Sequence, residues 1–214
     1  MDNSSIDVLV VGGGPAGSIA ARVAARGGAD TVLVDKKNRP ADSSACGGLV
    51  SVGTLEKLDA QGKSVINEIK GVLVHPPRGD EFKLFSSGVK AYVIDRNKLN
   101  ADLLSRAKES GVRVRPETEI IDREDMKVVI RTTGGEVEQT LEPRVIIGAD
   151  GPQSDVRRLF GMDQPSELLY AIQAEKNIPF HSRDSVEVFF GRDIAPGFFG
   201  WIIPVSDERA RLGL

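Results

Sequence analysis

Hydrophobic positions near the start of the chain come in short, nearly solid blocks. Ile6 to Val11 (IDVLVV) is a β-branched run that ends in glycines, the pattern of a strand buried on both faces. Pro15 to Arg26 (PAGSIAARVAAR) carries small residues at helical spacing, with Pro15 suited to a first turn. Thr31 to Asp35 (TVLVD) repeats the buried-strand pattern. Strand, helix and strand within about thirty residues make a βαβ unit with a right-handed crossover.

The pattern changes at Lys36. Lys36 to Val50 is polar and glycine-rich and reads as a loop, followed by a short helix over Val52 to Leu58. Val72–His75, Phe82–Phe85 and Ala91–Ile94 are short strands between turn residues, which predicts an antiparallel meander. Arg96 to Ser110 is an amphipathic helix with Leu99, Leu103, Leu104 and Ala107 on one face and Gly111 as its stop. Strands are expected over Val112–Arg115, Glu119–Asp122, Val128–Thr132, Glu136–Leu141 and Val145–Gly148, with TTGGE as a hairpin turn. A short helix over Gln153–Phe160 precedes four more strands, Tyr170–Glu175, Val186–Phe190, Phe198–Ile203 and Ala210–Leu214.

That order implies an α/β fold of two interleaved domains. A nucleotide domain is expected over 1–68 and 93–165, and a mostly antiparallel sheet over 69–92 and 166–214. The chain ends on ARLGL, an apolar run without a turn or cap, as a strand with its partner elsewhere would; a fragment is expected.

Composition adds mainly exclusions. With 28 Lys and Arg against 31 Asp and Glu, the net charge of −3 offers no basic face to a nucleic acid. The single cysteine, Cys46, forms no internal disulfide, which suits a reducing cytoplasm, and it excludes a cysteine-only metal site. His75 and His181 lack ligand spacing, so no zinc centre is expected. The first apolar run has no basic residues before it and is too short for a signal peptide or membrane span.

Gly12-Gly13-Gly14-Pro15-Ala16-Gly17 fits G-x-G-x-x-G between a strand and a helix. Gly12 permits the tight turn, Gly14 lets the backbone approach a pyrophosphate, and Gly17 lets helix and strand pack closely. The helix N-terminus adds amides and partial positive charge. Asp35 ends the second strand, where a carboxylate accepts hydrogen bonds from ribose hydroxyls and repels a 2′-phosphate, which disfavours NADP. A glycine-rich turn without a ligand is the bland alternative, and the flanking strand, helix and acid weigh against it. FAD and NAD stay open on this unit alone. Two further motifs follow. VIDRNKL places Arg96 at a helix start, and IIGADGPQSDVR leads a strand into Asp150 and then a helix. Alone, Arg96 reads equally well as a solvated helix-end charge, and Asp150 as turn chemistry.

In this order and spacing the three elements resemble the flavoprotein hydroxylase superfamily with its glutathione-reductase-type FAD domain. More narrowly, ACGG, VIDRNKLNADLLSRA, GADGPQSDVRR and GFFGWIIP are similar to the geranylgeranyl reductase family, whose archaeal members reduce isoprenoid double bonds of ether lipids. The resemblance runs over essentially the whole chain. It implies FAD as cofactor, held by the Gly12–Gly17 loop with Pro15 and Ala16, by Asp35 and Lys36, and by Cys46, Gly47 and Leu49. Arg96, Asp150 and a backbone position near Ile120 complete that set. It also implies a lipid pocket behind an aromatic-x-Trp-x-aromatic-Pro motif, matched by Phe199, Trp201 and Pro204, with Ile203 where an aromatic is usual. The family's later glycine–aspartate motif for the ribityl chain has no counterpart here, so the chain resembles an N-terminal half.

Cys46 then has three readings: a small buried side chain, a neighbour that packs on the flavin ring, or a group that assists proton delivery and so is catalytic. Phe189, Phe190, Phe198, Phe199 and Trp201 gather half of the eight phenylalanines and the only tryptophan. They read either as core or, because glycines interrupt them, as the wall of a prenyl pocket. The expected function is FAD-dependent reduction of isoprenoid double bonds in membrane lipid biosynthesis. Its expected partners are an isoprenoid lipid, ferredoxin or NAD(P)H as electron donor, and a peripheral membrane contact. An aromatic hydroxylase-like monooxygenase, and a chain that binds nucleotide without turnover, are the alternatives.

Overall fold

A computed structural model describes residues 5–40, 42, 46–58, 60, 62 and 64–214. In chain order the first elements are Ser5–Val11 (β1), Pro15–Arg26 (α1), Thr31–Val34 (β2), Leu49–Ser51 (β3) and Val52–Leu58 (α2). Val65–Ile69 (β4), Gly71–His75 (β5), Phe82–Phe85 (β6), Ala91–Ile94 (β7) and Arg96–Glu109 (α3) follow. Next come Arg113–Arg115 (β8), Thr118–Glu124 (β9), Lys127–Thr132 (β10), Glu138–Gly148 (β11) and Asp155–Leu159 (α4). The last four are Gln173–Asn177 (β12), Ser185–Phe189 (β13), Gly200–Pro204 (β14) and Arg209–Gly213 (β15). Two compact units result, one from residues 1–43 and 100–167, the other from residues 44–99 and 168–214. Residues 44–68 and 93–99, expected in the nucleotide domain, thus fall in the second unit.

The first unit holds a six-stranded sheet in the order β8-β2-β1-β11-β10-β9. β8, β2, β1 and β11 run parallel, while β10 and β9 are antiparallel additions. Leu9, Val11, Val32 and Val34 pack on one face with Ile120, Val128, Leu141 and Val156. Val8, Val10 and Leu33 pack on the other with Ala21 of α1 and Leu104 and Ala107 of α3. Strands buried on both sides must be apolar almost throughout, which is why the opening blocks are solid. Each such Val or Leu contributes about 1.5–3 kcal/mol by its burial.

One correction concerns β11. The runs expected as separate strands, Glu136–Leu141 and Val145–Gly148, form one strand with Pro143 inside it. The proline sits where the strand changes partners, since pairing with β10 ends at Leu141 and pairing with β1 takes in Glu142.

The second unit holds a six-stranded sheet, β12-β15-β14-β13-β5-β6, antiparallel except between β13 and β5. A three-stranded sheet, β3-β7-β4, accompanies it. The expected meander is therefore wrong. β5 and β6 form a hairpin, but β7 pairs with β3 and with β4, a strand (VINEI) whose apolar positions do not alternate. The strand expected from Tyr170 starts at Gln173, and Tyr170 itself is 85% exposed. Its apolar run mimics a strand by propensity, yet the ladder reaches only one residue further, where Ile172 and Leu214 exchange backbone hydrogen bonds.

Candidate functional site

In the first unit the glycine loop follows β1 directly. Gly12 takes φ +107, and a Cβ there would overlap the Ala149 carbonyl oxygen. A Cβ on Gly17 would overlap the Gly12 carbonyl oxygen, so helix α1 can start this close to β1 only at glycine. Gly14, by contrast, faces open space at the N-cap of α1. That N-cap has no side-chain cap, and the first turn has no acid, so the Ala16 and Gly17 end of the helix is left for an external anion. The loop is braced from behind by Ser18, whose buried hydroxyl donates to the Gly13 carbonyl at 3.1 Å.

Asp35 accepts the Gly13 N–H at 2.6 Å and the Lys37 N–H at 2.8 Å, one on each oxygen. A carboxylate has about four lone-pair sites, so ribose hydroxyls can still be accepted. Lys36 is exposed beside it, and its carbonyl accepts from Thr133 Oγ1. Open amides with a half-buried acid at the adjacent strand end fit the pyrophosphate and ribose of a dinucleotide.

Asp150 orders α4. One oxygen accepts from Ser154 Oγ at 2.6 Å, the other from the Asp155 and Val156 N–H groups at 2.7 and 3.1 Å. Ser154 in turn accepts from the Arg157 N–H as N-cap. A cavity of about 380 Å³ opens beside them, lined by Ile146, Asp150, Val156, Arg157 and Phe160. Ile120 is a core residue, 3% exposed, so only its backbone can meet a ligand.

In the second unit the Cys46–Gly48 loop is clamped by side chains from distant strands. Arg96 Nη1 lies 3.4 Å from Cys46 Sγ, and Gln173 Nε2 donates to the Cys46 carbonyl at 3.1 Å. Arg211 donates from Nη1 to the carbonyls of Gly47 (3.1 Å) and Ile94 (3.0 Å), and from Nε to Glu175 (3.1 Å). Gly48 takes φ +69, and a Cβ there would overlap Arg211 Nη1. Arg96 is accordingly half-buried against the thiol and is no solvated helix end. A Cβ on Gly47 would meet Ile203 Cδ1 at 3.0 Å and lie 3.8 Å from both Gln173 Oε1 and Trp201 Nε1. Those two polar atoms and Arg96 Nε are buried without a hydrogen-bond partner among the described residues.

Strand register explains how Trp201 reaches this loop. Phe82, Val74, Val188, Trp201, Gly213 and Gln173 pair in succession across six strands, so they line one face of the sheet. A Cβ on Gly213 would overlap the Trp201 ring, so the indole lies over that strand because position 213 is glycine. Phe199 meets Trp201 edge-on at 6.2 Å, Phe198 stacks on Phe199 at 4.3 Å, and Phe190 meets it tilted at 5.9 Å. Pro204 is buried, its carbonyl accepting from Asn67 Nδ2. Phe189 leaves the expected cluster. It stacks at 4.1 Å on His75, whose ring nitrogens contact Glu81 and the buried Glu187. Alternation along β13 turns Phe189 to the face opposite Val188. Gln173, Arg211, Gly213 and Ser18 carry no motif, although a glycine and an arginine inside ARLGL are signals of unusual strand positions.

Residues 5–212 match a family described as the FAD binding domain. Digeranylgeranylglycerophospholipid reductase 1 of Methanothermobacter thermautotrophicus is 31% identical over 223 residues, covering 99% of this chain and 56% of that protein. The digeranylgeranylglycerophospholipid reductase of Methanosarcina acetivorans is 31% identical over 222 residues, covering 97% and 54%. The chain thus spans about half the length of the curated relatives it matches. Among solved structures, a geranylgeranyl bacteriochlorophyll reductase-like protein of Thermoplasma acidophilum superimposes with a TM-score of 0.83 at 28% identity, covering 99% of this chain and 56% of that one. A myxobacterial chondrochloren halogenase, at TM-score 0.71 and 21% identity over 98% of this chain and 52% of that one, shares the fold.

Proposed function

Because the chain belongs to the FAD binding domain family, we propose that it is the cofactor-holding and substrate-facing half of a flavin-dependent reductase of isoprenoid double bonds in membrane lipids. FAD is the cofactor, and when bound and reduced it supplies a hydride to an alkene carbon. The first unit binds the dinucleotide through the Gly14, Ala16 and Gly17 N–H groups and Asp35. The second presents the Cys46–Gly48 backbone, with Arg96 fixing the thiol. Trp201, Phe199 and Ile203 offer an apolar wall that orients a prenyl chain and excludes water. Saturation of the alkene also needs a proton at the neighbouring carbon. Cys46 Sγ is the candidate donor, and Arg96 beside it would stabilise the thiolate left behind. Ferredoxin or NAD(P)H is the proposed source of electrons.

The observation that carries this reading is the contact of Gly47 with Ile203 and Trp201: the loop that the family places along the flavin and the aromatic motif are one assembly. The deciding experiment incubates the FAD-loaded, photoreduced chain with a geranylgeranyl lipid under argon and weighs the lipid. A gain of two hydrogens for each reduced bond is expected. Reoxidation only on admission of oxygen, with a hydroxylated product, would replace the reductase reading with a monooxygenase.

A further inference from the structure

The second unit carries an apolar cavity that the site above leaves unused. It is open to solvent, measures about 370 Å³ and is lined by Leu49, Ile69, Val72, Leu84, Phe85 and Val186, with Lys70 and Lys90 in its wall. Val72 pairs with Leu84 across β5–β6 and with Val186 across β5–β13, which sets these three side chains in one row. That row runs beside the row of Phe82, Val74, Val188 and Trp201, two residues along the same strands and hence on the same face. Ile69 and Val186 also belong to the buried cluster of Ile203, against which Val72 and Trp201 both pack, so the cavity and the Trp201 wall border the same core.

The outer side of the cavity is apolar surface left in water. Leu84 and Phe82, on one face of the edge strand β6, are 59% and 50% exposed, and contiguous exposed apolar patches mark binding sites. The charged groups that line it are the two lysines, with no carboxylate among the lining residues. The acid next in place, Asp184, accepts the Lys70 N–H through its carbonyl. Its carboxylate accepts from Ser182 Oγ at 2.6 Å and also interacts with the charges of Lys83 and Lys70, so it is the group a phosphate has to outcompete at Lys70. A hydrocarbon wall with ammonium groups beside it is complementary to an amphiphile with an anionic head.

We infer that this cavity seats the anionic head end of the lipid: a phosphate meets Lys70 and Lys90, and the chain runs over Leu84, Val72 and Val186 toward Trp201. The inference rests on the isoprenoid reading above. A free prenyl phosphate and a phospholipid share this chemistry.

Trp201 is the only tryptophan, so its emission reports chain binding directly. The test titrates the chain with geranylgeranyl monophosphate and with geranylgeraniol at low salt. The phosphate is expected to bind at least about tenfold more tightly than the alcohol, with the difference shrinking as salt is raised. Lys70→Glu with Lys90→Glu should abolish that preference while leaving the affinity for the alcohol unchanged. Equal affinities for the two probes, or a preference that survives both reversals, would overturn the inference. Vesicles of dioleoylphosphatidylglycerol separate the sources. If they are sedimented by the chain in a lysine-dependent way while the free phosphate shows no lysine dependence, the patch is a membrane contact and the inference falls. A dimer in sedimentation velocity that Leu84→Asp dissolves would likewise overturn it, by giving the patch to a second copy. Lysine-dependent phosphate binding without alkene reduction would leave the cavity standing and sink the reductase reading instead.

Discussion

The two glycine loops of this chain are held in opposite ways. In the Gly12–Gly17 loop the braces are near in sequence: Ser18 lies 5 residues from the carbonyl it bonds, and Asp35 lies 22 residues from the Gly13 amide. In the Cys46–Gly48 loop the clamps Arg96, Gln173 and Arg211 lie 50, 127 and 164 residues from their partners. The first loop is nearly self-contained, and its Gly12 and Gly17 are irreplaceable because backbone occupies the space around them. The second takes its shape from side chains that strand register delivers. The first should therefore fail when Gly12 or Gly17 is changed, and the second when a clamp is removed.

The largest effect is expected at Gly12. Gly12→Ala combines a φ of +107 with overlap of the Ala149 carbonyl, and should cost about 3 kcal/mol or more together with FAD binding. Gly14→Ala is its counterpart. With nothing among the described residues within 4 Å of the added methyl, stability should change by only a few tenths of a kcal/mol. FAD affinity should nevertheless fall at least about tenfold, since the methyl occupies the approach to the amides. Thermal unfolding and flavin titration of the two variants separate the roles. If Gly14→Ala bound FAD as tightly as the parent, Gly14 would be only a cap.

The same contrast separates what is legible in the sequence from what is not. The βαβ unit, with α1 at Pro15–Arg26, and the short helix α2 at Val52–Leu58 are legible because solid apolar blocks and glycine punctuation are local signals. That Cys46 and Arg96 face the same cofactor is only what the resemblance implies, and their contact with each other is not legible at all. Gln173, Arg211 and Gly213 are not legible as site residues. Their role depends on Gln173 pairing with Gly213, and Gly213 with Trp201, a relation across strands that no window of sequence contains. β4 and the true partners of β7 escape a sequence reading for the same reason.

An intermediate effect is expected at Arg211, whose side chain is only 13% exposed. Arg211→Met removes the donor from the Gly47 and Ile94 carbonyls, while Glu175 keeps Arg209 at 2.8 Å. Losing hydrogen bonds from a charged group to buried carbonyls should cost about 2 kcal/mol, or roughly 4–8 °C in Tm for a chain of this size. Cys46 is the only thiol, so its labelling by a disulfide reagent measures loop order without ambiguity. A rise of at least about fivefold is expected for Arg211→Met, because access governs thiol reaction rates. The Gly14→Ala chain should label at the parent rate. Equal rates for all three proteins would mean that Arg211 does not hold the loop.

The smallest effects come from a matched pair. Ser18 and Gln173 each donate one hydrogen bond of 3.1 Å to a loop carbonyl, of Gly13 and of Cys46. Sequence separation should not matter to the worth of a bond once formed, so about 1 kcal/mol would be expected from each. Gln173, however, also buries Oε1 without a partner among the described residues, a penalty already present in the folded chain. Gln173→Met removes the bond and the penalty together, and so should cost less than about 0.5 kcal/mol, although Cys46 should label faster. Ser18→Ala removes only a bond and should cost about 1 kcal/mol with no change in labelling. Urea titrations resolve this difference. A larger loss for Gln173→Met than for Ser18→Ala would show that Oε1 is satisfied in solution, and would make Gln173 as firm a clamp on its loop as Arg211.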